Sequence, residues 1–255
     1  MFDEQAEQYS QEGYTIFRSV LDATLMADVR AHHQWAIENS GWDCEPEHFR
    51  VRDVFIARLA SDPRLVDIAE AFIGPDIGLF GCGLWYKPAR AGLPVLWHQD
   101  IEYWPLDPPE VVTLWLSVTE SNQLNGCMEV IPRSHGELLT HHIQVGRDHA
   151  FFDGARVVDI SKDDEQRSIK LELKCGDVSL HHPQVIHGSK ANTSETPRFG
   201  ISINYVPAHV TIKGETREWN WLLRGEDRGA GHKWQPFPKY RPGEDFPFQG
   251  CEDWA

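Results

Sequence analysis

Val111-Val112-Thr113-Leu114-Trp115-Leu116-Ser117-Val118 is the stretch on which the fold assignment turns. Val112, Leu114, Leu116 and Val118 alternate with Thr113, Trp115 and Ser117. Successive side chains of a strand point to opposite faces, so this period of two predicts a strand with an apolar face and a different second face. Working outward, Leu79–Tyr86, Cys127–Ile131, Ile169–Leu173, Val178–His182 and Phe199–Val206 read as further strands. Turn signals separate them at Asn125-Gly126, Cys175-Gly176-Asp177 and Asn192 through Pro197. The first third reads as helical. Asp22 caps a helix carrying Leu25, Met26 and Val29, and Ser61-Asp62-Pro63 starts a second with Leu65, Ile68, Ala69 and Phe72, ended by Gly74-Pro75. Many short strands with helices gathered at the start predict a mainly β protein with flanking helices, an antiparallel sandwich or jelly roll.

These signals divide a single domain, 1–255, into a helical part at 1–75, a strand-rich core at 76–210 and an irregular tail at 211–255. The polar segment Gly146–Arg167 reads as an insertion loop of the kind that forms lids. A net charge of −15 with no Lys/Arg run argues against nucleic acid or an anionic membrane as partner. Five scattered cysteines without a C-x-x-C pair indicate neither a zinc knuckle nor a disulfide framework. The acidic first 14 residues lack an apolar signal core. The nearly apolar stretch Ile77–Tyr86 is broken by Gly78, Gly81 and Gly83 and falls short of the ~20 residues of a membrane helix. The expectation is a cytoplasmic protein acting on a small molecule. Nothing in the sequence fixes its oligomeric state.

The chemistry centres on Trp97-His98-Gln99-Asp100. On a strand His98 and Asp100 would share a face and offer an imidazole and a carboxylate to one point. A third ligand from a neighbouring strand would complete the two-His, one-carboxylate arrangement of non-haem iron(II) oxygenases. His-x-Asp alone is weak evidence in a chain of 13 histidines, and His135-Gly136-Glu137 has the same form beside a turn at Pro132. His181, His182 and His187 are the candidates for the third position. His187 is favoured because Arg198 follows it after the polar turn Asn192–Pro197, and a hairpin there returns the arginine beside it. His181 and His182 face opposite sides of a strand that Pro183 ends, and read as structural. A guanidinium grips a carboxylate with two parallel hydrogen bonds. A ligand that chelates a metal at one end and carries a carboxylate at the other, the shape of 2-oxoglutarate, would span His187 and Arg198.

At these residues the sequence resembles the phytanoyl-CoA dioxygenase family. The likeness runs over about residues 10–230: Phe72-Ile73-Gly74-Pro75-Asp76-Ile77, Lys87-Pro88, His98 through Pro105, Asn125 through His135, and Gly176-Asp177 through His187-Gly188-Ser189 to Asn192 and Arg198. Leu223-Arg224-Gly225-Glu226-Asp227 resembles a tail motif of some members. The resemblance implies a double-stranded β-helix, a cupin-like jelly roll. It implies His98, Asp100 and His187 as Fe(II) ligands, with Arg198 and Ser189 on the far carboxylate of 2-oxoglutarate. It further implies Trp115 and Gln99 near the cosubstrate, and more loosely Arg50 in place of a cosubstrate-binding lysine. Arg133 departs from the family's P-G-S-H stretch, where glycine suits a tight turn, and is expected to be exposed.

The implied reaction couples 2-oxoglutarate and O2 to hydroxylation of a C–H bond, releasing succinate and CO2. An aspartate at position 100 implies hydroxylation rather than halogenation, because halogenating relatives carry a small residue there; desaturation and ring closure stay open as outcomes. The expected substrate is a small polar metabolite, with Glu102, Tyr103 and Trp104 lining its pocket and Glu102 facing a cationic group. Acyl-CoA hydroxylation, or a cupin-type metalloenzyme that does not use 2-oxoglutarate, are the alternatives.

Overall fold

The computed structural model describes residues 2–40, 53–146, 154–214 and 221–255. The helices are α1 (Asp3–Glu12), α2 (Ala23–Ser40), α3 (Val54–Ala60), α4 (Pro63–Ile73) and α5 (Lys162–Gln166). The first seven strands are β1 (Tyr14–Phe17), β2 (Ile77–Lys87), β3 (Val95–His98), β4 (Leu106–Asp107), β5 (Val112–Ser117), β6 (Met128–Val130) and β7 (His142–Gln144). The rest are β8 (Ala155–Val157), β9 (Ile169–Lys170), β10 (Val178–His181), β11 (His187–Ser189), β12 (Arg198–Pro207), β13 (Thr211–Ile212) and β14 (Leu222–Arg224).

Two antiparallel sheets face each other, with orders β1-β10-β5-β12-β2-β14 and β3-β11-β6-β9. Together they make the jelly roll. The alternation of 111–118 fixes the outcome in the larger sheet. Val112, Leu114, Leu116 and Val118 enter the main apolar core with Ile201, Ile203, Leu84, Leu180 and residues of α2, α3 and α4. Leu114 and Leu116 are fully buried, each contributing about 1.5–3 kcal/mol of hydrophobic stabilisation. Thr113 and Trp115 face the other way, into the space between the sheets.

The helix signals act as the sequence predicts. Asp22 Oδ1 accepts from Leu25 N, and Asp62 Oδ1 from Arg64 N with Pro63 opening α4. Three expectations change. The helical first third also contains β1, which extends the larger sheet through β10. The segment read as a loop at Gly146–Arg167 carries β8 and α5, and β8 pairs with β7. The tail is irregular for most of its length but adds β14 to the edge of β2 and buries Trp221 in the main core. Among the described residues no helix is long and apolar enough to cross a membrane.

Candidate active site

Between the sheets lies a cavity of about 480 Å³, a size suited to small ligands. Strand register organises the wall formed by the larger sheet. Inward positions form lateral rows: Lys87 with Arg198, Trp85 with Gly200 and Ser117, Gly83 with Ser202 and Trp115, and Gly81 with Asn204 and Thr113. His181 joins the last row through its pairing with Thr113. Glycines and serines hollow out this face, so the few large side chains stand around an open centre.

The smaller sheet brings the candidate metal ligands. His187 on β11 pairs directly with His98, the last residue of β3. Asp100 is not on the strand. It opens a 3₁₀ turn, Asp100–Tyr103, which curls its carboxylate back over the two imidazoles. Its Oδ1 lies 3.3 Å from His98 Nε2 and 3.6 Å from His187 Nε2. The three donor atoms all fall within 4.8 Å of one another. Two imidazoles and a carboxylate thus converge on one point, the donor set that iron(II) takes in a facial triad.

The surrounding hydrogen bonds prepare each donor. His98 Nδ1 donates to Leu96 O at 2.8 Å and His187 Nδ1 to Val185 O at 3.0 Å. A carbonyl can only accept, so each ring carries a proton on Nδ1, and in a neutral ring Nε2 is then the nitrogen with the lone pair. Burial pushes His187 down to about 3, so its ring is neutral at physiological pH. Burial alone would raise the Asp100 carboxyl, but His187, His181 and His98 outweigh it and hold it well below the usual carboxylate range. Asp100 Oδ2 accepts from His181 Nε2 at 3.2 Å and from Thr113 Oγ1 at 3.3 Å. With Oδ2 so engaged, Oδ1 is the oxygen turned to the imidazoles.

Arg198 lines the same cavity. It is 2% exposed, and its Nη1 donates to Gly126 O at 2.6 Å while Nε has no partner among the described residues. Burial lowers it to about 10, which leaves it cationic at neutral pH. Its Cζ sits 5.2 Å from the ring of Trp115, a cation–π arrangement. A buried guanidinium that opens on a cavity and meets no carboxylate among the described residues invites an anion. Ser189 lines the cavity beside it and accepts from Lys87 Nζ at 2.7 Å. Lys87 also donates to Ser189 O at 3.3 Å and is fully buried. Burial first, and then the charge of Arg198, lowers Lys87 to about 6.

The structure separates the remaining candidates. Trp115 and Tyr103 line the cavity, as does Trp104. Gln99 does not. Between two inward neighbours it points the opposite way, where its amide bridges Glu137 O, Gln184 O and Leu139 N. Glu102 is also absent from the lining. Its carboxylate pairs with Arg156 on β8 at 2.8 Å instead of facing the cavity. Arg50 lies outside the described residues. His135 turns to α1 and bonds Ser10 O, and His182 packs against Tyr9 on that same side. Arg133 is exposed as expected. It adopts φ +65° and pairs with Glu12 at 2.6 Å.

Two residues of the site escaped the sequence reading. His181 reads as structural in the sequence, yet its ring bonds the Asp100 carboxylate. Lys87 was noted only for its spacing from the metal segment. The parity of each strand carries the missing signal: Thr113 opposite His181, and Gly81, Gly83, Trp85 and Lys87 on one face of β2.

Comparison with known proteins agrees with this geometry. The chain is 28% identical over 234 residues to a probable alpha-ketoglutarate-dependent hypophosphite dioxygenase of Stutzerimonas stutzeri, covering 82% of this chain and 79% of that protein. It is 27% identical over 254 residues to the ectoine dioxygenase of Sphingopyxis alaskensis, covering 87% and 83%. Its fold superposes on the apo non-heme monooxygenase ThoJ with a TM-score of 0.74, covering 98% of this chain and 92% of that one at 24% identity. Residues 9–200 match the sequence profile of Phytanoyl-CoA dioxygenase (PhyH). The chain therefore belongs to the phytanoyl-CoA dioxygenase family and is a non-haem iron(II), 2-oxoglutarate-dependent dioxygenase.

Proposed function

We propose that the enzyme hydroxylates a C–H bond of a small molecule, with His98, Asp100 and His187 holding the iron and Arg198 with Ser189 holding the far carboxylate of 2-oxoglutarate. One observation carries this reading: the His-Asp-His group and a buried arginine whose Nε has no partner among the described residues open on the same cavity. The donor chemistry supports iron(II). Two neutral imidazoles and one carboxylate leave the ion with residual positive charge, and 2-oxoglutarate brings the negative charge to match. With iron bound, the site supplies oxidative decarboxylation: R–H, 2-oxoglutarate and O2 become R–OH, succinate and CO2.

The chain's own part is to position and to exclude water. Trp115 covers the guanidinium and keeps it dry, which strengthens its grip on a carboxylate. Lys87 holds Ser189 by its oxygen, leaving the serine hydroxyl hydrogen free to donate to that same carboxylate. His181 and Thr113 hold Asp100 by one oxygen so that the other faces the metal. Tyr103 ties the metal turn to β8, accepting from Arg156 N at 2.7 Å and donating to Arg156 O at 3.1 Å.

The net charge of −15 favours a small substrate over an acyl-CoA, whose phosphates call for a basic track. The test is succinate release. It should require Fe(II), 2-oxoglutarate and O2 together and rise on addition of a substrate from a metabolite library. Succinate formed equally well without added iron in chelator-treated enzyme would refute the assignment.

A further inference from the structure

The row Gly81–Asn204–Thr113–His181 crosses four adjacent strands of the larger sheet and joins the metal carboxylate to the end of the cavity away from Arg198. Its hydrogen bonds have one consistent direction. Thr113 Oγ1 gives its only hydrogen to Asp100 Oδ2, so towards Asn204 it can only accept, and Asn204 Nδ2 donates to it at 2.9 Å. That assignment fixes the amide with Nδ2 towards Thr113 and Oδ1 turned away from it. Asn204 lines the cavity and is only 8% exposed, yet Oδ1 accepts no hydrogen bond among the described residues. The neighbouring strand leaves that oxygen open. A Cβ at Gly81 would lie 3.3 Å from Asn204 Oδ1.

The walls at this end are flat and apolar. Phe80, next to Gly81, meets Trp104 edge to face at 5.7 Å, and both line the cavity. Of the charged groups among the described lining residues, Asp100 faces the metal and Arg198 the cosubstrate. Glu102, the acid nearest in sequence, is spent on Arg156. An unpaired acceptor lining a cavity is open to a donor on a ligand, and aromatic faces favour the flat side of a ring.

We propose that Asn204 is the specificity-determining residue of this enzyme and that its substrate is an uncharged cyclic molecule presenting a hydroxyl or amide N–H to Asn204 Oδ1. This rests on the oxygenase reading above. The ring lies against Phe80 and Trp104, and the hydrogen bond to Asn204 sets which C–H faces the metal.

The experiment screens iron-loaded wild-type enzyme with alicyclic and aromatic alcohols and lactams. Each is tested beside its O-methyl or N-methyl analogue and beside an amine and a carboxylate of the same skeleton, with succinate release as the readout. Neutral donors should stimulate release, and methylation should lower the effect about tenfold or more. The charged analogues should not stimulate it. Asn204→Leu, which removes the acceptor, and Gly81→Ala, which covers it with a methyl group, should each erase the preference for donors over their methylated partners. Thermal denaturation identifies which variant is folded, and either one suffices. Equal response to parent and methylated compounds overturns the proposal. So does stimulation by the charged analogues alone, by no neutral donor, or an undiminished preference in a folded variant. A wild-type enzyme that forms no Fe(II)–2-oxoglutarate charge-transfer band without oxygen would instead overturn the oxygenase reading itself.

Discussion

Replacing Gly200 by alanine perturbs the proposed cosubstrate pocket through Trp115. A Cβ there would lie 2.0 Å from Trp115 Cζ2 and 2.5 Å from Cε2 and Cη2. Carbon atoms rest at about 3.5–4 Å, so the indole must retreat by about 1.5 Å or more. Trp115 is 3% exposed and has little room to do so. Overpacking of this kind costs about 1–3 kcal/mol of folding stability. The displaced ring also leaves the Arg198 guanidinium, now 5.2 Å away, and a desolvated cation–π contact is worth about 0.5–2 kcal/mol. The expected result is a lower denaturation midpoint together with 2-oxoglutarate affinity weakened about 2- to 30-fold, read by anaerobic titration of the iron-loaded protein. Trp115→Phe removes the clashing ring atoms. The double variant Gly200→Ala/Trp115→Phe should therefore recover stability relative to Gly200→Ala alone, a coupling of about 0.5–3 kcal/mol. Wild-type stability and affinity in Gly200→Ala would refute the claim that this glycine exists to seat the tryptophan over the arginine.

Other perturbations separate the parts of the site. Arg198→Lys keeps the charge but loses the planar fork, so 2-oxoglutarate should bind about tenfold or more weakly in the same titration. His181→Phe takes one donor from Asp100 Oδ2 and should weaken Fe(II) binding by about 10–100-fold, measured by metal titration, with little change in fold by circular dichroism. Lys87→Met strands the Ser189 carbonyl and hydroxyl acceptors, and should cost about 1–3 kcal/mol in denaturant unfolding. Burial pushes His182 down to about 4, against 6.5 for the ordinary group. The unfolded chain therefore takes up more protons in that range. The contribution is fully present above about pH 6.5 and is lost as pH falls through about 4. His182→Gln should flatten the melting-temperature profile over that window.

The legible part of the fold was the part with strict periodicity. Val112 to Val118 revealed both faces of β5, and Asp22, Asp62-Pro63 and Gly74 marked helix ends because caps are local chemistry. His98, Asp100 and His187 converge as the sequence leads one to expect, but not by way of a shared strand face. The i, i+2 rule assumed a continuing strand, whereas β3 ends at His98 and a 3₁₀ turn delivers Asp100. Gln99 was assigned to the cosubstrate, but a residue between two inward neighbours must point outward. His181 and Lys87 were within reach of the same parity argument applied across strands. The partner of Glu102 was not, because Arg156 lies 54 residues away on a hairpin that the sequence presents as a polar loop.

The central claim is that two imidazoles and one carboxylate hold iron beside a carboxylate-binding arginine. It is tested most directly by adding Fe(II) and then 2-oxoglutarate to the protein without oxygen and recording the visible charge-transfer band of the chelate. The band should saturate at one iron and one 2-oxoglutarate per chain, vanish in His187→Ala and persist in His182→Ala. A band that survives loss of His187, or that disappears with His182, would contradict the assignment.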